Sequence, residues 1–258
     1  MVWHRVDGDG PQTVVLSHGW GATAHMWEPQ VAELSKRAKV ITWDLRGHGR
    51  SPSPDDPAAY SLDIALADLE ALVDGRRVVL VGHSFGGQLS MAFTLRQPDL
   101  VEGLGLLSTG PGYRNAEAMA GWNENIERQA RALEQRGMEA LPAGDDMHGG
   151  LHTSALPPAE GAARAQALAH AIRGFVTQHD SRIIDGLTSI DVPALVLVGA
   201  KDKGFLNGAD YLAAKIPQAA RVVVPDAGHA VNRHQPKAVN EALALLLAAA
   251  EAWTASTA

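Results

Sequence analysis

RVVLVGHSFGGQLSMAFTLRQ, residues 77–97, decides how the chain folds. It opens as an apolar, β-branched run, Val78 to Val81, and closes as an amphipathic, helix-like run that Pro98 stops. Between them Ser84 stands among Gly82, Gly86 and Gly87. Glycine weakens strands and helices alike, so glycines clustered at one junction need a local reason. A strand entering G-x-S-x-G and leaving as a helix is the sharp turn that holds a serine hydroxyl out of the chain. The two flanking glycines let strand and helix approach without Cβ clashes, and the helix N-terminus favours developing negative charge beside the hydroxyl.

Working outward, the same alternation recurs. TVVLS (13–17), KVITWD (39–44), VEGLGLLS (101–108), ALVLVG (194–199) and RVVVPD (221–226) join RVVLVG (77–82) as predicted strands. They are apolar throughout rather than alternating, as in strands buried on both faces of a parallel sheet. Helical patterns fill the gaps: MWEPQVAELSKRA, SLDIALADLEALVDG with Ser61 as its N-cap, and the alanine-rich KAVNEALALLLAAAEAW. This predicts an α/β fold: a doubly wound, mostly parallel sheet of seven or eight strands with helices on both faces. Between Gly110 and Ile190 the rhythm breaks into NAEAMAGWNENIERQARALEQRG, a small-residue connector and PAEGAARAQALAHAIRGFVTQ. That stretch predicts an inserted helical layer of two or three helices.

A serine hydroxyl needs a base, and the base an orienting acid, before it attacks a carbonyl at neutral pH. In a sheet of this kind both belong on loops after later strands, acid before histidine. Asp202 follows ALVLVG by three residues, and His229 lies in PDAGHA just beyond RVVV. The rival acid position after VEGLGLLS holds Ser108, Thr109 and Gly110, and Asp226 is better suited to ordering the turn before His229. His83 adjoins Ser84, but its side chain should point away from the hydroxyl. The candidate catalytic set is Ser84, Asp202 and His229. For an oxyanion, the backbone N–H of Phe85 offers one donor, and the glycine turn LSHGWG (16–21) offers that of Trp20.

These residues resemble the α/β-hydrolase superfamily over almost the whole chain: HGW (18–20), DLRGHGRS (44–51), GHSFGG (82–87), the Asp of GAKD (199–202) and the His of DAGH (226–229), in family order. The resemblance implies a core of residues 1–110 and 191–258 carrying a helical cap, 111–190, over the site. It also implies nucleophile Ser84, base His229, acid Asp202 and oxyanion donors Trp20 and Phe85, with Arg46 and His48 holding nearby loops. Only VWHRV precedes the HGW strand, where the family often has an extra antiparallel strand. Dehalogenases and epoxide hydrolases of this type use aspartate at the position of Ser84, and many C–C bond hydrolases carry asparagine at that of His83. The expected activity is hydrolysis of small carboxylic esters or lactones. The alternatives are a C–C bond hydrolase of a ring-cleavage diketone and a slow-turnover ligand receptor.

Tyr113, Met119, Trp122 and Met147 are the candidate substrate-binding residues of the cap, with Met138, Phe175 and Trp27 as further apolar candidates. His148 and His152 are four apart, but two intervening glycines spoil a helical metal-ligand pair, so neither metal nor cofactor is expected. The formal net charge of −7 with no basic block argues against nucleic acid and anionic membrane surfaces. The absence of cysteine removes disulfides, thiolate metal sites and thiol nucleophiles. With no signal-like N-terminus and no apolar run approaching about 20 residues, a cytoplasmic monomer or homodimer is expected.

Overall fold

The computed structural model describes residues 1–141 and 158–257. Seven strands form one sheet: β1 (His4–Asp7), β2 (Gln12–Ser17), β3 (Ala38–Trp43), β4 (Val78–His83), β5 (Val101–Leu107), β6 (Ala194–Gly199) and β7 (Ala219–Val224). Their spatial order is β1-β3-β2-β4-β5-β6-β7. VWHRV supplies the edge strand β1, which runs antiparallel to β3 with His4 opposite Trp43, and every other pairing is parallel. All six residues of β4 and of β6 are buried, which explains their unbroken apolar sequences.

Alternation along the strands divides the core in two. Val15, Ile41 and Leu80 face the layer holding α2 (Leu62–Val73), α3 (Phe85–Arg96) and α7 (Leu206–Lys215). Val14, Leu16, Val40, Val79 and Val81 face α1 (Glu28–Leu34), the short α8 (Val231–His234) and the long C-terminal α9 (Pro236–Thr257). Local signals set the ends of these helices. The Ser61 hydroxyl accepts the Ile64 N–H at 3.2 Å to start α2, and Asp74 closes it in the left-handed region.

Between β5 and β6 lie α4 (Ala116–Arg136), α5 (Pro158–Ala171) and the short α6 (Arg182–Gly186). Asn115 caps α4 by accepting the Ala118 N–H at 2.9 Å. Ile126, Ala130 and Leu133 of α4 pack against Ala165, Leu168 and Ala169 of α5, a hydrophobic cluster apart from the two that flank the sheet. A π-helical turn, Ile172–Val176, continues α5. Its Arg173 fork is shared by Glu127 (2.7 Å) and Glu134 of α4, which pins the turn to that helix. These bonds raise the arginine pKa further and pull the Glu127 carboxyl down to about 2.

The helix α9 corrects one sequence expectation. Pro236–Ser256, with a mean hydropathy of 1.2, is long and apolar enough by length and composition to cross a membrane. In the folded chain Val239, Leu243, Leu246, Leu247 and Ala250 bury one stripe of it against the sheet, and Leu246 lies over the small side of β5 at Gly103 and Gly105. Helical periodicity sets these residues among exposed alanines, so the buried stripe is hidden within a stretch, residues 242–250, that is apolar throughout. Leu246→Ala should therefore cost about 2–5 kcal/mol in urea denaturation. Leu245→Ala, at a side chain 74% exposed, should change stability by less than about 0.5 kcal/mol.

Candidate active site

Ser84 joins β4 to α3 with φ 52° and ψ −117°, a conformation that costs a non-glycine residue about 1–3 kcal/mol. Its neighbours enforce it. The Ser84 N–H donates to the Leu107 carbonyl at 2.9 Å, while its own carbonyl accepts from the Thr109 hydroxyl at 2.7 Å and the Gly87 N–H at 2.9 Å. A Cβ on Gly82 would lie 2.1 Å from the Gly86 carbonyl oxygen, and one on Gly86 would lie 2.2 Å from that of Ser17. Strand β4, helix α3 and the end of β2 meet here at distances that only glycine allows.

The loop after β6 turns back through Asp202 N–H to Gly199 carbonyl, 3.0 Å, and the loop after β7 brings His229 beside it. His229 Nδ1 donates to Asp202 Oδ2 at 2.9 Å, with Asp202 only 8% exposed. The neutral imidazole therefore carries its proton on Nδ1 and keeps Nε2 as an acceptor. Asp226 points elsewhere: it takes φ 58° in the turn and pairs with Lys201 at 2.9 Å, which holds its carboxyl below the usual range.

Two rings hold the His229 imidazole, and neither contact is legible in a motif. Phe205 stacks on it at 4.7 Å, and His83 meets it edge-on at 4.8 Å. The buried His83 also donates from Nε2 to the His229 carbonyl at 2.9 Å. The residue before the serine thus points away from the cavity, as sequence predicts, yet it fixes the histidine from below.

Ser84, Phe85, Trp20, Trp122, Phe205 and His229 all line one cavity of about 310 Å³, closed from the other side by α4 and the π-helical turn. Of the sequence candidates for substrate contact, Trp122 lies on this wall, with its indole N–H on the Val176 carbonyl at 2.9 Å. Tyr113 does not; it stands 39% exposed and leans on the outside of Trp122. Met119, three residues before Trp122 and so on the same face of α4, is half-buried but does not line the cavity. Met147 lies outside the described residues, as do His148 and His152. Trp27 is fully buried beneath the sheet, Phe175 stacks behind Phe85 at 5.2 Å, and Met138 packs within the inserted helices. The lining residues that sequence reasoning missed on α4, Ile126, Gln129 and Leu133, follow Trp122 at helical spacing. That periodicity is the signal that reveals them.

The turn carrying Trp20 is held by two buried imidazoles. His18 Nε2 accepts the Leu45 N–H at 2.8 Å while Nδ1 donates to the Gly19 carbonyl at 2.7 Å. His48 Nε2 accepts the Gly21 N–H at 3.0 Å while Nδ1 donates to the Arg46 carbonyl. Both bonding patterns require a neutral ring. Burial lowers the pKa of each, His48 to about 3. Arg46 itself pairs with Asp68 of α2 at 2.7 Å, and Asp44 accepts the Ala24 N–H at 2.7 Å and the Arg50 N–H at 2.9 Å.

A family model described as the alpha/beta hydrolase fold matches residues 12–232. The chain belongs to the α/β-hydrolase family. This α/β-hydrolase is 27% identical, over 92% of its length and 91% of the relative, to a putative 2-succinyl-6-hydroxy-2,4-cyclohexadiene-1-carboxylate synthase of Bacillus subtilis. It is 31% identical to a pimeloyl-[acyl-carrier protein] methyl ester esterase of Chromobacterium violaceum, over 86% of this chain and 89% of that one. Among solved structures, the enol-lactonase from Burkholderia xenovorans LB400 superposes with a TM-score of 0.72 at 26% identity, covering 96% of both chains.

The buried imidazoles give this hydrolase a defined acid response. Unfolding frees His48 to bind a proton below its ordinary pKa of 6.5, whereas the folded state resists until about 3. The unfolded state therefore binds more protons across that window, and folding stability must fall as pH falls from 6.5 toward 3. For each such histidine the slope approaches about 1.4 kcal/mol per pH unit. Urea denaturation at pH 7, 5.5 and 4 should show this loss. His48→Gln, which removes the titrating ring, should be less stable at pH 7 but lose less on acidification.

Proposed function

We propose that the protein is a serine hydrolase of small carboxylic esters or lactones that works through an acyl-enzyme. The observation that carries this reading is the His229–Asp202 hydrogen bond, 2.9 Å, on the rim of the cavity that also receives the strained Ser84. Asp202 fixes the Nδ1–H tautomer, so Nε2 is left to accept the Ser84 proton as Oγ attacks the substrate carbonyl. The C=O π electrons move onto oxygen, and this oxyanion lies against the backbone N–H of Phe85, the first amide of α3, and that of Trp20. Support for Trp20 comes from its turn, where a Cβ on Gly19 would lie 3.0 Å from Ser84 Cβ. Collapse of the intermediate expels the alkoxide, which takes the proton from the His229 imidazolium. A water, deprotonated by the same Nε2, then attacks the acyl-enzyme; the acyl–Oγ bond breaks, the acid leaves, and the imidazolium returns its proton to Ser84 Oγ.

In this scheme the stretch 111–190 acts as a cap on a core of residues 1–110 and 191–258. Phe205 and His83 keep the imidazole from tilting as its charge changes. Two of the three relatives named above support this reading, one being a methyl ester esterase and another an enol-lactonase. No cofactor takes part in the steps as written.

A small fluorophosphonate should modify Ser84, located by peptide mass mapping, and p-nitrophenyl esters of short chain should be turned over. Ser84→Ala should abolish the adduct, and Asp202→Asn should lower kcat by about 10⁴-fold with folding retained. Labelling at any other serine, or ester turnover that survives Ser84→Ala, would sink the proposal.

A further inference from the structure

We infer that this site selects an uncharged, mainly apolar acyl group and rejects one that carries a carboxylate. The inference rests on the serine-hydrolase reading for the chemistry, but its argument comes from the cavity wall. From α4, Trp122, Ile126, Gln129 and Leu133 form one stripe, and Leu141, Ile172 and Val176 continue the apolar surface beside it. The polar members of the described wall outside the reacting groups are the amides of Gln88 and Gln129, the hydroxyl of Thr109, and the indole N–H groups of Trp20 and Trp122, which donate to the Leu168 and Val176 carbonyls. Thr109 is committed to the Ser84 carbonyl, and Gln88 reaches the Gly110 carbonyl at 3.3 Å. His229 is the wall's sole titratable side chain among the described residues.

Among the described residues, none of the seven arginines of the inserted stretch lines the main cavity, and four of them are held in ion pairs. Residues 111–190 contain no lysine, and residues 142–157, which lie outside the description, contain no arginine. Arg114 pairs with Asp185, Arg131 with Glu127, and Arg173 with Glu127 and Glu134. A second, more polar cavity of about 110 Å³ lies behind Phe85 and Gln88, and it does include Arg182. Arg182, however, is bracketed by Asp180 at 2.6 Å and Asp63 at 3.1 Å. With Asp63 and Asp180 against Arg182 the formal balance there is negative, so this cavity offers a carboxylate no uncompensated arginine. An anion entering the main cavity would lose its water and find an apolar wall with two neutral amides, which is a heavy penalty for an unpaired charge.

Methyl hexanoate and monomethyl adipate present the same six-carbon acyl chain with and without a terminal carboxylate. At pH 7.5, kcat/KM for the neutral ester should exceed that for the anion by ~100-fold or more, the order expected for burying an uncompensated charge. A ratio below tenfold overturns the inference. Gln129→Arg places a cation on the wall and should narrow the ratio by at least tenfold; an unchanged ratio with the variant folded also overturns it. Binding is read separately from chemistry with Ser84→Ala, whose Trp20 and Trp122 on the wall report occupancy by fluorescence. Quenching by methyl hexanoate but not by monomethyl adipate supports the selectivity. If this pattern holds while the wild type hydrolyses neither ester, the serine-hydrolase reading fails and the selectivity stands. Equal quenching by both esters, or by neither, overturns the selectivity itself.

Discussion

The structure turns on a contact between two backbones. Strand β4 and helix α3 cross so closely at Gly82 and Gly86 that no Cβ fits between them, and the residue that closes the crossing is forced to φ 52°. A serine would not take that conformation alone, because the left-handed region is unfavourable to L-residues. The cost is met by the parallel sheet around it: Leu107 of β5 receives the Ser84 N–H, and Thr109 just beyond β5 grips its carbonyl. The most central part of the core, where β4 lies fully buried, thus holds the hydroxyl at the carboxyl end of the sheet. The loops after β6 and β7 emerge at that same end, so Asp202 and His229 need only short turns to reach the cavity.

How much of this was legible depends on what kind of constraint encodes it. Backbone constraints write themselves into sequence as glycine, and GHSFGG is visible for that reason. Buried parallel strands are visible because both faces are apolar. Asp202 and His229 are found by position, since loop residues directly after strands have little freedom of place. Side-chain direction is a different matter. Tyr113 and Met119 lie close to Trp122 in sequence, yet they miss the cavity: Tyr113 precedes α4, and Met119, although on the face of Trp122, sits one turn nearer the helix start than the first residue that reaches the wall. Phe205 and His83 are hidden for a related cause. Their partner is one ring brought from more than 20 residues away, and no local pattern announces such a contact. The alanine-rich α9 misleads in the opposite direction, its buried stripe being diluted by small residues that composition counts as apolar.

Charge is handled in two ways around the site. On the core side, His18 and His48 are kept neutral by burial, each with both ring nitrogens engaged with backbone. They behave as rigid two-ended connectors of loops, a use of histidine in which titration is a liability rather than a function. Among the inserted helices the opposite holds: half-buried guanidinium–carboxylate forks such as Arg173 with Glu127 and Glu134 fasten α4 to the π-helical turn. The cavity between them touches neither set.

Trp20 belongs to both sides of that cavity. Its backbone lies in the turn against Ser84, while its indole N–H donates across to the Leu168 carbonyl of α5 at 3.0 Å. The core and the inserted helices are therefore not interchangeable modules. A chimera whose foreign insertion between β5 and β6 placed no backbone carbonyl where that of Leu168 stands would strand a half-buried donor, at a cost of about 1–3 kcal/mol. It would also loosen the very turn that borders the serine. Recombination within this fold must therefore keep the backbone position of α5 under residue 20, a constraint that ties the inserted helices to the first loop of the sheet although residues 20 and 168 lie about 150 apart in the chain.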